Sequence, residues 1–213
     1  MNEPVAIAVL AKAPVAGFAK TRLIPVLGAE GAAQLQQKLI ARAITTACAA
    51  AVGPVTLWAT PDERHPAFQA FAARSDVALA SQCAGDLGAR MLAAIVAAAG
   101  AVLVIGTDCP ALTAWHLRSA ADILRQRTDT VVLPAEDGGY VLIGMRVPQG
   151  ALFTDMPWST PEVMSETRRR MRQLGLTSQE PLTLWDVDLP DDLERLRDAN
   201  LGDLLPACER CDR

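Results

Sequence analysis

The chain has 213 residues, a hydrophobic fraction of 51% and a formal net charge of −4, which fits one domain with a sizeable core and is short for two. No apolar stretch reaches the roughly 18 to 20 residues that cross a bilayer, and an acidic balance without a basic face excludes a broad nucleic-acid surface. Any phosphate site is therefore small and local.

Met1-Asn2-Glu3-Pro4 carries no basic leader, so the apolar run at residues 5–10 reads as a first strand rather than a signal peptide, and a cytoplasmic location is expected. Residues 28–51 form a long helix with Leu35, Leu39, Ala43 and Ala47 on one face. Strands follow at 55–59 and, more weakly, at 77–80, then a helix at 86–99. The run 102–105 has no polar alternation and reads as a strand covered on both faces. Beyond it come a helix at 114–126, strands at 130–133 and 140–144, a helix at 161–174, a strand at 182–187 and a helix at 190–199. Strands alternating with helices predict a single α/β domain over residues 1–203, with a loose tail at 204–213. The five cysteines, Cys48, Cys83, Cys109, Cys208 and Cys211, are odd in number and scattered, which points to reduced thiols.

The strand at 102–105 stops at Gly106-Thr107-Asp108-Cys109-Pro110. In parallel sheets ligands bind beyond the carboxyl ends of the strands, so Asp108 is aimed at a ligand crevice. A turn or helix cap is the competing reading for an acid in that position. The first strand likewise opens into a small-residue loop containing Lys12, Gly17, Lys20 and Arg22, with no acid among them. Backbone N–H groups near fixed positive charge suit a diphosphate or triphosphate, although the loop is neither a Walker A nor a dinucleotide fingerprint. A solvated basic turn is the alternative.

Asp186 and Asp188 lie two apart in the expected strand at 182–187 and its exit, so they face the same side. Magnesium takes oxygen ligands and keeps water and phosphate in its shell; Asp108 with Asp188, and Asp186 beside or behind them, meets that demand. Asp191 and Asp192 follow Pro190 at a helix start and read as caps. Glu136-Asp137-Gly138-Gly139-Tyr140 is either a plain hairpin turn or a place where the backbone comes close to a substrate, with Asp137 and Tyr140 as hydrogen-bonding groups. Trp158-Ser159-Thr160 and Gly85-Asp86-Leu87-Gly88-Ala89-Arg90 each precede or open a helix and can bind an anion or merely cap. His65 and His116 join no nucleophile motif, Cys109 reads as packing, and a lone Cys208-Glu209-Arg210-Cys211 gives weak support for zinc.

These blocks, in this order, resemble the DUF2064 family, also called the radical-SAM/selenodomain-associated transferase 1 family, within the GT-A (nucleotide-diphospho-sugar transferase) superfamily. The resemblance runs from Ala11-Lys12-Ala13-Pro14 to Asp186-Val187-Asp188-Leu189-Pro190, with Leu189 where the family usually has threonine. It implies a three-layer sandwich with a mostly parallel mixed sheet, Lys20 and Arg22 on phosphates, and Asp108, Asp186 and Asp188 on Mg²⁺ or Mn²⁺. It also implies nucleotide or nucleotide-sugar as substrate and a small-molecule acceptor, with no nucleic acid and no membrane. Oligomeric state stays open, a homodimer being one option. Sugar transfer leads, with Asp108, Lys20 and Asp137 as the catalytic candidates; nucleotidyl transfer with pyrophosphate release and a noncatalytic nucleotide-binding subunit are the alternatives.

Overall fold

The computed structural model describes residues 3–74 and 77–206. Its strands are β1 (Ala6–Lys12), β2 (Val55–Thr60), β3 (Ala78–Ser81), β4 (Val102–Ile105), β5 (Thr130–Pro134), β6 (Tyr140–Met145) and β7 (Ser178–Gln179). The helices are α1 (Ile24–Ala50), α2 (Pro66–Arg74), α3 (Leu87–Ala97), α4 (Ala114–Arg125), α5 (Val163–Gln173) and α6 (Asp192–Asp198). All seven strands form one sheet in the order β3-β2-β1-β4-β6-β5-β7. Pairing is parallel except where β6 runs against β4 and β5. Among the described residues no helix is long and apolar enough to cross a membrane.

The three layers follow from strand alternation. Ile7, Val9 and Ala11 of β1 pack with Ile40 and Ile44 of α1 and Leu117 of α4. The intervening Ala8 and Leu10 face Met91 and Ile95 of α3 and Met164 of α5. Every residue of β4 is buried, as its unbroken apolar run requires. A third cluster joins Leu23, Leu39, Val187, Leu196 and Leu204, so packing extends through residue 204; Cys208 and Cys211 lie outside the described residues.

Chain order reverses beside β1, which has β2 on one side and β4 on the other. Helices after each strand diverge to opposite faces at such a point and leave a crevice at the carboxyl ends.

Three details depart from the sequence expectation. Helix α2 was not anticipated, although Pro66 at its first position and the buried Phe68 mark it. Helix α1 begins at Ile24, but Gly28 (φ +70°, ψ 167°) interrupts it, so the regular helix does start where the periodicity starts. The strand expected at 182–187 is absent. Leu184 N–H donates to Pro134 O at 2.9 Å and Glu136 N–H to Leu184 O at 3.0 Å, but Val187 N–H then donates to Asp108 O at 2.8 Å. The segment changes partner from β5 to the end of β4, so no continuous ladder forms; the edge pairing with β5 is made instead by β7.

Helix α5 anchors the segment that enters the crevice. Glu166 accepts bonds from Arg169 at 2.5 and 2.6 Å and from Arg170 Nε at 2.6 Å. Arg170 in turn donates to the carbonyls of Ala151 at 3.0 Å, Asp155 at 2.9 Å and Thr154. Hydrogen bonds from the two arginines lower the Glu166 pKa from 4.5 to about 2. A carboxyl depressed in the folded state contributes stability above its unfolded value and loses it as pH falls through the folded one. The stability difference between wild type and Glu166→Gln, read from urea unfolding, is therefore expected to be full above pH 4.5 and to shrink towards pH 2. A difference that does not change over that interval would assign the stabilisation to another group.

Candidate functional site

The crevice between β1 and β4 is fastened from below by Gln36, a buried polar residue on α1. Its Nε2 donates to Lys12 O and to Thr107 Oγ1, both at 3.3 Å. Thr107 Oγ1 lies 3.3 Å from Asp108 Oδ1 and donates to it. Gln82, after β3, closes the other side by donating to Ala11 O at 3.2 Å and Trp58 O at 2.8 Å. Sequence reading missed both. For Gln36 the signal was present, since Ala32, Gln36, Ile40 and Ile44 make a buried row at steps of four with one polar member.

The loop after β1 turns at Gly17 and is held by Phe18 and Ala19 N–H groups on Val15 O. Lys20 then adopts a left-handed backbone (φ 46°, ψ 47°) and buries its side chain to 4% exposure. Its ammonium donates to Val187 O at 2.6 Å and pairs with Asp108 Oδ1 at 2.8 Å. Arg22 is exposed and pairs with Asp188. Both cations of the loop thus answer acids of the same chain.

Asp186 lies inward, half-buried. Burial, reinforced by the charges of Asp137 and then Asp108, raises its pKa to about 6, against the pull of its own backbone N–H and of Lys20. Asp188 accepts from Arg22 at the same cleft. The strand on which their common face was expected does not form, yet both acids line one cleft. Asp192 serves the turn between them and α6, accepting from Asp188 N–H at 2.8 Å and Leu189 N–H at 2.7 Å; Asp191 makes no side-chain cap.

Asp137 comes from the β5–β6 turn. Its Oδ1 accepts Gly139 N–H at 2.9 Å, and Oδ2 has no hydrogen bond among the described residues. Gly138 has φ +92°, and a Cβ there would lie 2.7 Å from Pro161 Cα, so the turn is pressed directly under the start of α5; Met164 N–H bonds to Gly138 O at 2.8 Å. Arg195 of α6 braces the same turn through Glu136 at 2.6 and 2.8 Å while stacking over Trp185 at 4.6 Å.

The opposite wall is aromatic. Tyr140 and Trp158 meet edge to face at 6.4 Å. The Tyr140 hydroxyl points to Met91 Sδ at 3.8 Å, and burial pushes the phenol well above its usual range, so it stays neutral. Trp158 covers Gly88, where a Cβ would stand 2.9 Å from the indole, and its Nε1 is buried with no partner among the described residues. Ser159 is exposed in a left-handed conformation (φ 65°), and Thr160 Oγ1 donates to Pro157 O at 2.8 Å. Asp86 caps α3 by accepting Ala89 N–H at 2.8 Å.

Together these walls enclose a cleft of about 710 Å³. Lys12, Lys20, Arg22 and Arg90 line it with Asp108, Asp137, Asp186 and Asp188, and so do Gly139, Tyr140 and the 158–160 segment. Gly17, Asp86, Gly88 and Gly138 shape its walls without lining it. No described group of three His, Cys, Asp or Glu side chains converges closely enough to hold a metal by itself. Burial raises the Cys109 thiol to about 12, which keeps it an inert packing group. His116 completes a capping box with Thr113 at the start of α4, the structural role its sequence context predicts.

A family model described as "Uncharacterized protein conserved in bacteria (DUF2064)" matches residues 34–160. The chain belongs to the DUF2064 family. Among solved structures, a candidate nucleotide-diphospho-sugar transferase from Desulfovibrio desulfuricans G20 is 28% identical with a TM-score of 0.84, over 92% of this chain and 87% of that one. The CTP complex of CMP:2-keto-3-deoxy-manno-octonic acid synthetase aligns at 13% identity and TM-score 0.59, covering 94% and 100%. Glucosyl-3-phosphoglycerate synthase from Mycobacterium tuberculosis, with Mn²⁺, UDP and glucosyl-3-phosphoglycerate, aligns at 11% and 0.52, covering 94% and 78%. No curated protein matches the sequence. The chain thus shares the α/β fold of these nucleotide-sugar transferase and cytidylyltransferase structures.

The geometry at Gly138 yields one expectation. Gly138→Ala adds both left-handed strain and a collision with the Pro161 backbone, and should cost about 2 kcal/mol or more in denaturant unfolding. A loss below roughly 0.5 kcal/mol, the level of a neutral surface change, would show that the turn is not pinned under α5.

Proposed function

We propose that the chain is a divalent-cation-dependent transferase acting on an activated nucleotide, with sugar transfer from a nucleotide-sugar to a small-molecule hydroxyl as the leading reaction. The observation carrying this reading is that Asp108, Asp137 and Asp186 meet the buried Lys20 in one cleft at the carboxyl ends of parallel strands. The descriptions of the Desulfovibrio relative and of the nucleotide-bound neighbours point the same way.

Asp186 is half-buried and repelled by Asp137 and Asp108, and an open set of carboxylates of this kind suits a hard cation that keeps water and phosphate in its shell. Asp108 and Asp186 would hold Mg²⁺ or Mn²⁺, with Asp137 beside them and Asp188 at the rim beside Arg22. A bound ion would supply positive charge to neutralise the phosphates.

Lys20 is fixed before substrate arrives, so its ammonium can oppose negative charge gathering on the departing nucleoside diphosphate without reorganising. The Oδ2 of Asp137 can orient the acceptor hydroxyl and take its proton as the new C–O bond forms and the sugar–phosphate bond breaks. Lys12, Arg22 and Arg90 supply charge around the phosphates. The 137–140 turn and Trp158, Ser159 and Thr160 line the acceptor's approach, while Gly17, Asp86, Gly88 and Gly138 keep the walls in shape.

The test is incubation with nucleotide-sugars and with nucleoside triphosphates, with and without Mg²⁺ or Mn²⁺. Wild type should release nucleoside diphosphate only with metal, and Asp108→Asn should fall about a hundredfold or more, as expected on losing an electrostatic contact made in the transition state. Pyrophosphate release from a triphosphate would reassign the reaction to nucleotidyl transfer. Metal-independent binding without turnover would reduce the protein to a nucleotide-binding subunit.

A further inference from the structure

Two acids of the cleft, Asp137 and Asp186, stand close enough to repel each other, and neither makes an ion pair among the described residues. Like charges at short range push their carriers apart, so the two segments must be tied together. The backbone tie is short. Ala135 and Leu184 form a single parallel bridge, with Leu184 N–H on Pro134 O at 2.9 Å and Glu136 N–H on Leu184 O at 3.0 Å. Beyond it the segments part, because Val187 N–H goes to Asp108 O. Each acid therefore stands at an equivalent position just past the bridge, where the ladder has already ended.

One side chain spans both segments there. Arg195 of α6 donates from its two terminal nitrogens to the two oxygens of Glu136, at 2.6 and 2.8 Å, and its guanidinium lies over the Trp185 indole at 4.6 Å. Glu136 and Trp185 are the residues immediately before Asp137 and Asp186. Arg195, Glu136 and Trp185 do not line the cleft themselves. An exposed ion pair alone is worth little, but this one uses both prongs of a planar fork and a ring face. It also comes from a helix already seated, since Leu193 and Leu196 are buried in one cluster with Val187.

We infer that Arg195 is a positioning residue: it grips the residue preceding each acid, holds Asp137 and Asp186 at a fixed spacing against their repulsion, and so sets the affinity of the cleft for a divalent cation. The link to a cation rests on the reading under Proposed function; the clamp itself does not. Field and position have opposite signs here. Arg195 brings positive charge towards a cation site, so through the field alone its loss strengthens cation binding. Loss of a clamp weakens it, because the ion must then gather acids that have moved apart. A merely structural role shifts the unfolding midpoint and leaves the affinity of the folded protein as it was.

Mn²⁺ titration of the full chain followed by electron paramagnetic resonance, alongside hydrogen exchange of the metal-free protein, reads both parts. Arg195→Gln should weaken Mn²⁺ binding about tenfold, the usual loss on removing a group that orients a metal-binding side chain. Arg195→Lys should fall in between, because the charge stays and the fork goes. Glu136→Gln should also weaken binding, and the double variant no more than Arg195→Gln alone. Arg197→Gln, at an exposed position of α6, should bind as wild type does. Without metal, Arg195→Gln should speed exchange at the Glu136 and Leu184 amides together while the rest of the sheet stays protected. Raised exchange at both amides with no Mn²⁺ binding by wild type would keep the clamp and sink the cation-dependent reading. Unchanged or tighter Mn²⁺ binding by a folded Arg195→Gln, or exchange at Glu136 and Leu184 that matches wild type, overturns the inference.

Discussion

The cleft depends on one buried ammonium. Lys20 is almost wholly withdrawn from water, a position an amine holds only when its charge and its protons are both answered. They are answered by the Asp108 carboxylate at 2.8 Å and the Val187 carbonyl at 2.6 Å. Through these contacts the loop after the first strand, the end of the fourth and the C-terminal acidic segment become one body. Val187, itself fully buried, is gripped at both ends, because its N–H bonds to Asp108 O while its carbonyl receives Lys20. Both flanking acids line the cleft, Asp186 beside the charges of Asp108 and Asp137 and Asp188 paired with Arg22.

That arrangement explains what the sequence conveyed and what it withheld. The run at 102–105 announced a strand buried on both faces and hence a carboxylate at the mouth of a crevice, because burial on two faces needs only local composition to be visible. Position 186 is different. Leu182 and Leu184 alternate as a strand does, and nothing in their neighbourhood reveals that the backbone will exchange β5 for the end of β4 at residue 187. The partner of a backbone group is a long-range fact. Gln36 falls between these cases, since a lone amide in a buried row is a legible anomaly even though its partners, Lys12 and Thr107, are not predictable from it.

The same limit applies to charge. Lys12, Lys20, Arg22 and Arg90 are four similar cations in the sequence, two of which end as internal counter-ions and two of which do not. The difference is set by which element carries each cation and by where the 186–188 segment is pinned. A loop that reads as uniformly basic therefore becomes, once folded, the counter-charge of two of the cleft's acids, while Asp137 and Asp186 make no ion pair among the described residues.

An acidic protein can hold anions at such a place because local charge placement, rather than net charge, sets the field inside a cleft. Acids in such a cleft suit a cation, and guanidinium and ammonium groups beside them suit an oxyanion. A substrate carrying both a metal-binding phosphate edge and a further negative oxygen satisfies the two together, whereas a free metal ion or a free anion satisfies only one. On the proposed function, the ligand class that meets the acids and the cations of this one cleft together is a phosphate compound complexed to a divalent cation.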